Sequence, residues 1–592
     1  MKEKLFKENR TRLKRFFLFV LIFSLYVPTF AGIYTKPFQN VNIIDDGNFG
    51  TVAQTAVSIF RRTVKEQCGS TLSGNGKNCL TIQLKQDKTL PAEAFRIERK
   101  NSKTYSVFAA SDNSLMYGIG KLLHSSWINS KGLAVGQCVG TSKPDKEIRG
   151  IYFASHFGNF YHKAPLEEVN RYIEDLALWG CNSLAVWFDM HHYSGIDDPE
   201  AVKMLDRLSA FLRTAKSVGM KTGMTTLANE GYNSTPGQLR AEKITWIASY
   251  PGQICPSKPG GTELILKQRA EFLNALEKLG VRLDYIWLWP YDQGGCACKN
   301  CAPWGGNGYL KISEKLAELI RQKQPETKII LSTWAFDKDR IPNTDLFKDV
   351  DKGEWRGLTK EFSTNKPWAD YIMSDAHDVF PRYPLNNPIP GNLPLINFPE
   401  ISMWNMLPWG GLGANPQPER FWKLYHEVSS KLAGGYPYSE GKFEDLNKIL
   451  YNQMYWDDKC KADNIVKEYA AFYFSPEQAD NIVKAIRLME QNMHYQCQNW
   501  RRNPNLSKNV TIATEDHNSK LEWQIMQNVN KKLPQNIRQS WRWRILFIRS
   551  YMDYAIRQNK GLITPEANDF LKELIQISHL QEGEFAVTPP AI

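Results

Sequence analysis

The chain has 592 residues, 42% apolar and 23% charged, which is globular composition at a length that accommodates two to four folded units. Its formal net charge is +12, but Met1 to Arg15 holds seven Lys or Arg against Glu3 and Glu8, so losing that stretch lowers the charge by 5 to +7. No basic block stands elsewhere, which argues against nucleic acid as a partner. Aromatics reach 12%, with 18 Trp and 25 Tyr. Planar rings stack on the apolar faces of sugars and pack equally well in a core, so the surplus suits either use.

Behind the basic start, Phe16 to Val27 is apolar apart from Ser24 and too short to span a bilayer comfortably, and Pro28-Thr29-Phe30-Ala31 gives a small-residue exit. Residues 1–31 therefore read as a signal peptide cleaved after Ala31, with an uncleaved anchor as the alternative. The expectation is a secreted or periplasmic protein with no stable membrane insertion after cleavage. No Cys stands near the exit to take a lipid.

Residues 35–145 read as a small α+β domain. Leu80 to Leu84, Phe95 to Glu98 and Tyr105 to Ala110 alternate apolar and polar residues as strands of a half-covered sheet do, and Thr51 to Glu66 and Ser114 to Leu123 are helical. Cys68 and Cys79 flank the Gly/Ser/Asn-rich loop 69–78, a short closure that a disulfide could staple.

Residues 146–447 repeat strand, turn and amphipathic helix. The predicted strands are Ile148 to Phe153, Ser183 to Phe188, Lys221 to Thr226, Tyr285 to Trp289, Lys328 to Thr333, Tyr371 to Met373, Pro394 to Phe398 and Gly434 to Pro437. Helices are expected at Leu166 to Trp179, Ala201 to Val218, Leu264 to Leu279 and Tyr309 to Gln322. Eight strands in about 300 residues is the arithmetic of a (β/α)8 TIM barrel, with a doubly wound sheet as the alternative. Residues 448–592 then carry only helical patterns: Asn464 to Phe474, Pro476 to Met493, Lys520 to Lys532, Ile537 to Asn559 and Pro565 to Ile577. Trp541, Trp543, Phe547 and Tyr551 are spaced to line a packed face of this helical bundle.

A barrel of this kind places its site at the C-terminal ends of the strands. The residues that follow them are Ser155 and His156; Asp189, His191 and His192; Asn229 and Glu230; Trp289 to Gly295, including Tyr291 and Asp292; Trp334 and Asp337; Asp375 and His377; Glu400 and Trp404; and Tyr438, Ser439 and Glu440. Convergent carboxylates with Trp and Tyr are what glycosyl transfer needs: one acid to protonate the leaving oxygen, a second group to attack or to stabilise the oxocarbenium, and planar walls.

The first domain, with Ala94-Phe95-Arg96-Ile97-Glu98, Tyr105-Ser106-Val107 and Ser114-Leu115-Met116-Tyr117-Gly118-Ile119, resembles the small α/β domain that precedes the barrel in family 20 β-hexosaminidases and in α-glucuronidases. Ile148 to Phe153 is similar to the way those barrels begin. Tyr438 to Asp445, leading into helices, resembles the end of the barrel in bacterial α-glucuronidase-like proteins. The resemblance implies an exported glycoside hydrolase acting on an oligosaccharide or polysaccharide, with no cofactor required for catalysis. Family 20 enzymes carry Asp-Glu after strand four, whereas this chain has Asp292-Gln293, and Gln cannot act as a general acid. Substrate-assisted hydrolysis of N-acetylhexosamine is therefore not carried over.

The candidate catalytic carboxylates are Asp292, Glu230, Glu440 and Glu400, three of them followed at once or within two residues by Gly, where a ligand could approach the backbone closely. Candidate sugar-binding residues are His156, Asp189, His191, His192, Tyr291, Trp334, Asp375, Trp404 and Tyr438. The histidines with Asp189 and Asp375 could instead hold a catalytic metal, although they match no H-x-H or H-E-x-x-H spacing. Cys296, Cys298 and Cys301 form C-x-C-x-x-C, and with Cys255 they read as a structural zinc knuckle or, alternatively, as one disulfide plus free thiols. Two rivals to the hydrolase remain: a barrel that kept sugar binding and lost turnover, and a scaffold, which would bury its strand-end aromatics.

Overall fold

The structure is a computed structural model, and it describes residues 34–68, 76, 78–155, 158–244, 252–292, 294–336, 350–364, 367–376, 379–402, 413–492, 495–496, 511–512, 516–560 and 563–580. The expected signal peptide, His156, His377 and Trp404 lie outside the described residues.

The N-terminal unit contains β1 (Asn40–Asp45), α1 (Thr51–Cys68), β2 (Cys79–Gln86), β3 (Phe95–Asn101), β4 (Thr104–Ala109), α2 (Asp112–His124), β5 (Ser126–Asn129), β6 (Gly132–Val135) and β7 (Gly140–Ser142). Five of its strands form one mixed sheet in the order β1-β2-β4-β3-β7. In β2 the alternation is literal: Leu80, Ile82 and Leu84 are buried beneath the helices, while their neighbours are partly exposed. Ser111 and Ser114 close a capping box that starts α2. The expected Cys68–Cys79 disulfide is corrected: no bond joins these two thiols. Cys68 ends α1 buried, whereas the Cys79 thiol turns to the Leu80 carbonyl at 3.5 Å.

Eight parallel strands follow: β8 (Ile148–Phe153), β9 (Ser183–Trp187), β10 (Lys221–Leu227), β11 (Tyr285–Trp289), β12 (Lys328–Ser332), β13 (Tyr371–Ala376), β14 (Leu395–Pro399) and β15 (Leu432–Gly435). Each pairs with the next, and β15 pairs back onto β8 with Gly434 opposite Ile148, so the sheet closes into a barrel and the doubly wound alternative is excluded. The eighth strand breaks at Tyr436-Pro437 and resumes as β16 (Tyr438–Ser439) on β8. The helices around the barrel include α3 (Leu166–Leu178), α4 (Pro199–Ser217), α5 (Gly261–Lys278), α6 (Gly308–Lys323), α7 (Val350–Thr364) and α8 (Pro418–His426). Every residue of β8, β9, β11 and β14 is buried, as expected where helices cover one face and the lumen the other.

The lumen is aromatic. Tyr285, Tyr371 and Tyr436 fill its lower part, and Tyr152, Trp187, Trp287, Trp289, Phe398 and Tyr438 pack above them. Gly150 is required here, because a Cβ would lie 2.3 Å from the Tyr436 ring. Much of the Trp and Tyr surplus is thus barrel core.

The remaining helices are α9 (Asp445–Trp456), α10 (Ala462–Tyr473), α11 (Ala479–Gln491), α12 (Ser519–Lys532), α13 (Trp541–Gln558) and α14 (Pro565–Ile577). Trp543, Phe547 and Tyr551 are buried on the face their spacing predicts. Ser540 caps α13 and separates it from a short turn at Gln535–Arg538, so the single helix expected over Ile537 to Asn559 is two. Two ionic clasps bind these helices to the rest. Asp445 accepts from Arg542 of α13 at 2.9 Å, from Tyr172 of α3 at 2.8 Å and from Tyr469 of α10 at 2.7 Å. At the opposite end, the fully buried Arg149 of β8 pairs with Glu93 of the N-terminal unit at 3.0 Å and lies over the rings of Tyr117 and Trp456. No helix among the described residues is long and apolar enough to cross a membrane.

Candidate active site at the barrel mouth

Side chains along a strand alternate between lumen and helix layer. The inward set runs through Ala185 and Trp187 in β9, Tyr371 and Met373 in β13, Ile396 and Phe398 in β14, and Tyr436 and Tyr438 at the eighth strand. One further step of two reaches Asp189, Asp375, Glu400 and Glu440. The same count in β12 leads from Ile330 to Trp334, which packs against Trp289 at 6.3 Å. These residues ring the mouth of the barrel because they continue the lumen-facing register.

Asp189 is 5% exposed and its Oδ1 has no hydrogen-bond partner among the described residues. Burial pushes its carboxyl well above the usual range; the charge of His191 opposes this, and those of Glu230 and Asp292 add to it. Glu230 is fully buried, and its Oε1 lies 2.6 Å from His191 Nδ1. The buried Tyr152 hydroxyl is pushed far up by burial and then by the charges of Asp189, Asp292, Glu400 and Glu230, so four carboxylates lie near enough to act on one hydroxyl. Burial pulls His192 down to about 4, so it is neutral at neutral pH and can accept or donate a hydrogen bond; its Nε2 lies 3.5 Å from Asp189. Asp189, His191 and His192 gather their ligand atoms within 4.8 Å of one another, the nearest approach to the metal reading, with one His191 nitrogen turned to Glu230.

Asp292 adopts a left-handed φ of 79° directly after β11, a conformation that costs of order 1–3 kcal/mol for a residue with a side chain and that Asp tolerates better than most. Its neighbour Tyr291 departs from the sugar-binding role expected for it. Tyr291 is buried and turns outward, donating its hydroxyl to Glu354 of α7 and accepting from the Gly305 N–H at 3.1 Å, so it is a packing peg. The glycines beside the candidate carboxylates also serve packing. A Cβ at Gly231 would meet the Gly252 carbonyl at 2.6 Å, and one at Gly441 would meet Phe160 at 2.8 Å, which leaves no gap there for a ligand.

Several positioning residues have no strong sequence signal. Asn229 donates to the carbonyls of Ile254 and Gly295, both at 3.0 Å, and accepts from the Gly295 N–H at 2.9 Å, tying the loops after β10 and β11 together. Arg269 of α5 is 3% exposed and donates to the carbonyls of Leu227 at 2.7 Å and Glu230 at 3.2 Å. Glu440 accepts from Tyr438 at 3.0 Å, and its own N–H donates to Glu444 at 2.7 Å. Glu444 also accepts from Ser439 and from the Gly441 N–H at 2.8 Å, with Lys448 3.4 Å away, so it holds the turn that carries Glu440.

Of the strand-end aromatics, Trp289, Tyr291 and Tyr438 are buried and Trp334 is partly exposed. Burial of three of the four is what the scaffold alternative expects, whereas the grouped buried acids, costly to fold, are of the kind that cluster at functional sites.

These features define a (β/α)8-barrel protein with an acidic mouth over an aromatic floor, a small α/β unit before the barrel and helices after it. Among solved structures it is similar to a family GH115 4-O-methyl-α-glucuronidase with specificity for decorated arabinogalactans, at 10% identity over 93% of this chain and 78% of that one, with a TM-score of 0.58. It is also similar to a GH138 enzyme targeting pectin rhamnogalacturonan II, at 12% identity over 91% and 72%, with a TM-score of 0.53. A chitobiase from Flavobacterium johnsoniae aligns at 14% identity over 92% and 93%, with a TM-score of 0.49. No protein-family model matches the sequence, and no curated protein does. At these identities the likeness is one of fold, and at that level the expected resemblance to glycoside hydrolases holds.

Proposed function

We propose that this protein is an exported glycoside hydrolase that cleaves a complex glycan at the barrel mouth. The gathering of Asp189, Glu230, Asp292 and Glu400 within electrostatic reach of the Tyr152 hydroxyl carries this reading. Asp189 is the general acid: burial raises its carboxyl and favours the protonated form, which can deliver a proton to the leaving glycosidic oxygen. Asp292, partly exposed and held by the strained turn after β11, is the second carboxyl group, the one that meets the anomeric centre or the attacking water. His191 fixes Glu230, and neutral His192 with Glu440, Asp375 and Trp334 contacts sugar hydroxyls and ring faces. The similarity in fold to enzymes whose names specify decorated arabinogalactans and pectin supports a branched, uronate-bearing plant glycan as the substrate class. Export follows from the residues 1–31 pattern, and N-terminal sequencing of the mature protein should begin just after Ala31.

The test is sugar release from a panel of aryl glycosides and plant polysaccharides by wild type and by Asp189→Asn, Glu230→Gln, Asp292→Asn and Glu400→Gln. Wild-type turnover with a loss of about 10²-fold or more in Asp189→Asn and Asp292→Asn supports the assignment. Equal or absent release by all five proteins, with glycan binding retained, makes this a binding barrel and overturns it.

A further inference from the structure

The loops after β10 and β11 carry a second cluster outside the acidic mouth. Cys255 comes from the first loop, and Cys296, Cys298 and Cys301 come from the second. All four are buried free thiols, and their sulfurs lie within 4.8 Å of one another. Cys255 Sγ is 3.8 Å from Cys298 Sγ and 3.9 Å from Cys301 Sγ. A disulfide needs about 2.05 Å, so these are not bonded pairs. Four thiolates around zinc at about 2.3 Å define a tetrahedron with edges of about 3.8 Å, which the Cys255–Cys298 and Cys255–Cys301 distances match.

We propose that these four cysteines bind one structural zinc ion that fastens the loop after β10 to the loop after β11. The surroundings fit a thiolate site. Ser257 Oγ lies 3.1 Å from Cys255 and 3.3 Å from Cys298 and accepts from Cys301 at 3.5 Å; with the thiols deprotonated its one hydroxyl hydrogen is placed to donate to a sulfur, and such donors orient metal ligands. The knuckle is also tightly folded: the N–H groups of Cys301 and Ala302 both reach the Cys298 carbonyl at 2.9 Å, and Gly308 N–H reaches the Cys301 carbonyl at 3.0 Å. With four thiolates the coordination is complete and leaves no open position for substrate or water, so the ion has a structural role.

Its place relative to the acidic mouth gives the ion a consequence. Asn229 bonds to the backbone of Ile254 and Gly295, the residues immediately before Cys255 and Cys296. Glu230 follows Asn229 in the chain, and Asp292 precedes Gly295 by three residues. The zinc therefore fixes the two segments whose junction Asn229 reads, and through it the spacing of Glu230 and Asp292.

Binding releases the thiol protons to solvent as the four Zn–S bonds form, with no oxidant or reductant involved. Elemental analysis of the full-length mature protein, purified without chelator, should find about one zinc per chain that survives gel filtration. Replacement by cobalt should produce the thiolate charge-transfer and intense visible bands of tetrahedral cobalt. Cys298→Ser should lower the zinc content to about a tenth or less, while Cys460→Ser, outside the cluster, should keep it. The stoichiometry is read without any substrate, so it stands or falls independently of the hydrolase assignment. A wild-type protein with less than about a tenth of an equivalent of zinc after growth with and without added zinc, or with a disulfide among the four cysteines by mass mapping, overturns the proposal.

Discussion

Asp189 sits beside Glu230 and Asp292 with almost no contact with water, so ionising it costs more in the folded chain than in the unfolded one. An unfolded Asp titrates near about 3.9, and folded Asp189 titrates well above that. A carboxyl with a raised folded pKa favours the folded state only while protonated, so its penalty grows as pH rises from about 4 toward the folded pKa. Asp189→Asn should therefore melt above wild type at pH 7 and match it more closely near pH 4, while losing activity. A stability gap that stays constant between the two pH values, measured by calorimetry, would show that folding does not raise the Asp189 carboxyl. Tyr291 gives the opposite expectation: Tyr291→Phe should leave turnover within about twofold and lower stability by roughly 1–3 kcal/mol, because buried Glu354 loses a donor. The difference between these two residues was hidden in the sequence. Both follow a barrel strand, and only the fold shows that one stays in the lumen register and the other swings out.

At the scale of elements, Asn229 joins the ends of two strands through three hydrogen bonds in a buried setting. Asn229→Ala strands two carbonyls and an N–H, so a loss of about 2–4 kcal/mol in urea unfolding is expected, together with reduced kcat from displaced Glu230 and Asp292. Full stability with unchanged kcat would mean the loops hold their places without it. Element boundaries were largely legible. Of the barrel strands covered on both faces, β11 reads as an unbroken apolar run and β8 as one interrupted by Arg149, and both begin and end where predicted. The last strand was displaced in the reading because its break at Tyr436-Pro437 is a property of closure, where Tyr436 must fill the space over Gly150. Helix α9 was missed altogether. Its residues are buried almost all round, so it lacks the polar face that betrays a surface helix.

The whole molecule is held by charges that bridge its parts. Burial alone would raise the Asp445 carboxyl, but Arg542 beside it, with Lys448 and Tyr469, holds it below the usual carboxylate range. A depressed pKa contributes stability above about pH 3.9 that is lost as pH falls through the folded value, so this junction should open first in acid. Arg542→Ala leaves Asp445 buried without its cation and should cost about 3–5 kcal/mol, splitting thermal unfolding into two steps as the helices separate from the barrel. A single unshifted transition would show the clasp to be dispensable. The motif running from Tyr438 to Asp445, singled out for its likeness to the end of other barrels, holds one mouth carboxylate, Glu440; Glu444 and Asp445 work as scaffolding.

The order of residues alone was enough for eight alternating strand-helix units and the acidic strand ends, because periodicity and burial leave their marks within a few consecutive positions; closure of the sheet was decided by the pairing of β15 with β8. Which acids converge, which aromatic turns away, the fate of Cys68 and Cys79, and the meeting of Cys255 with the C-x-C-x-x-C segment were decided by tertiary structure. Those outcomes depend on side chains far apart in the chain sharing one low-dielectric volume, and no local pattern records which of them will meet.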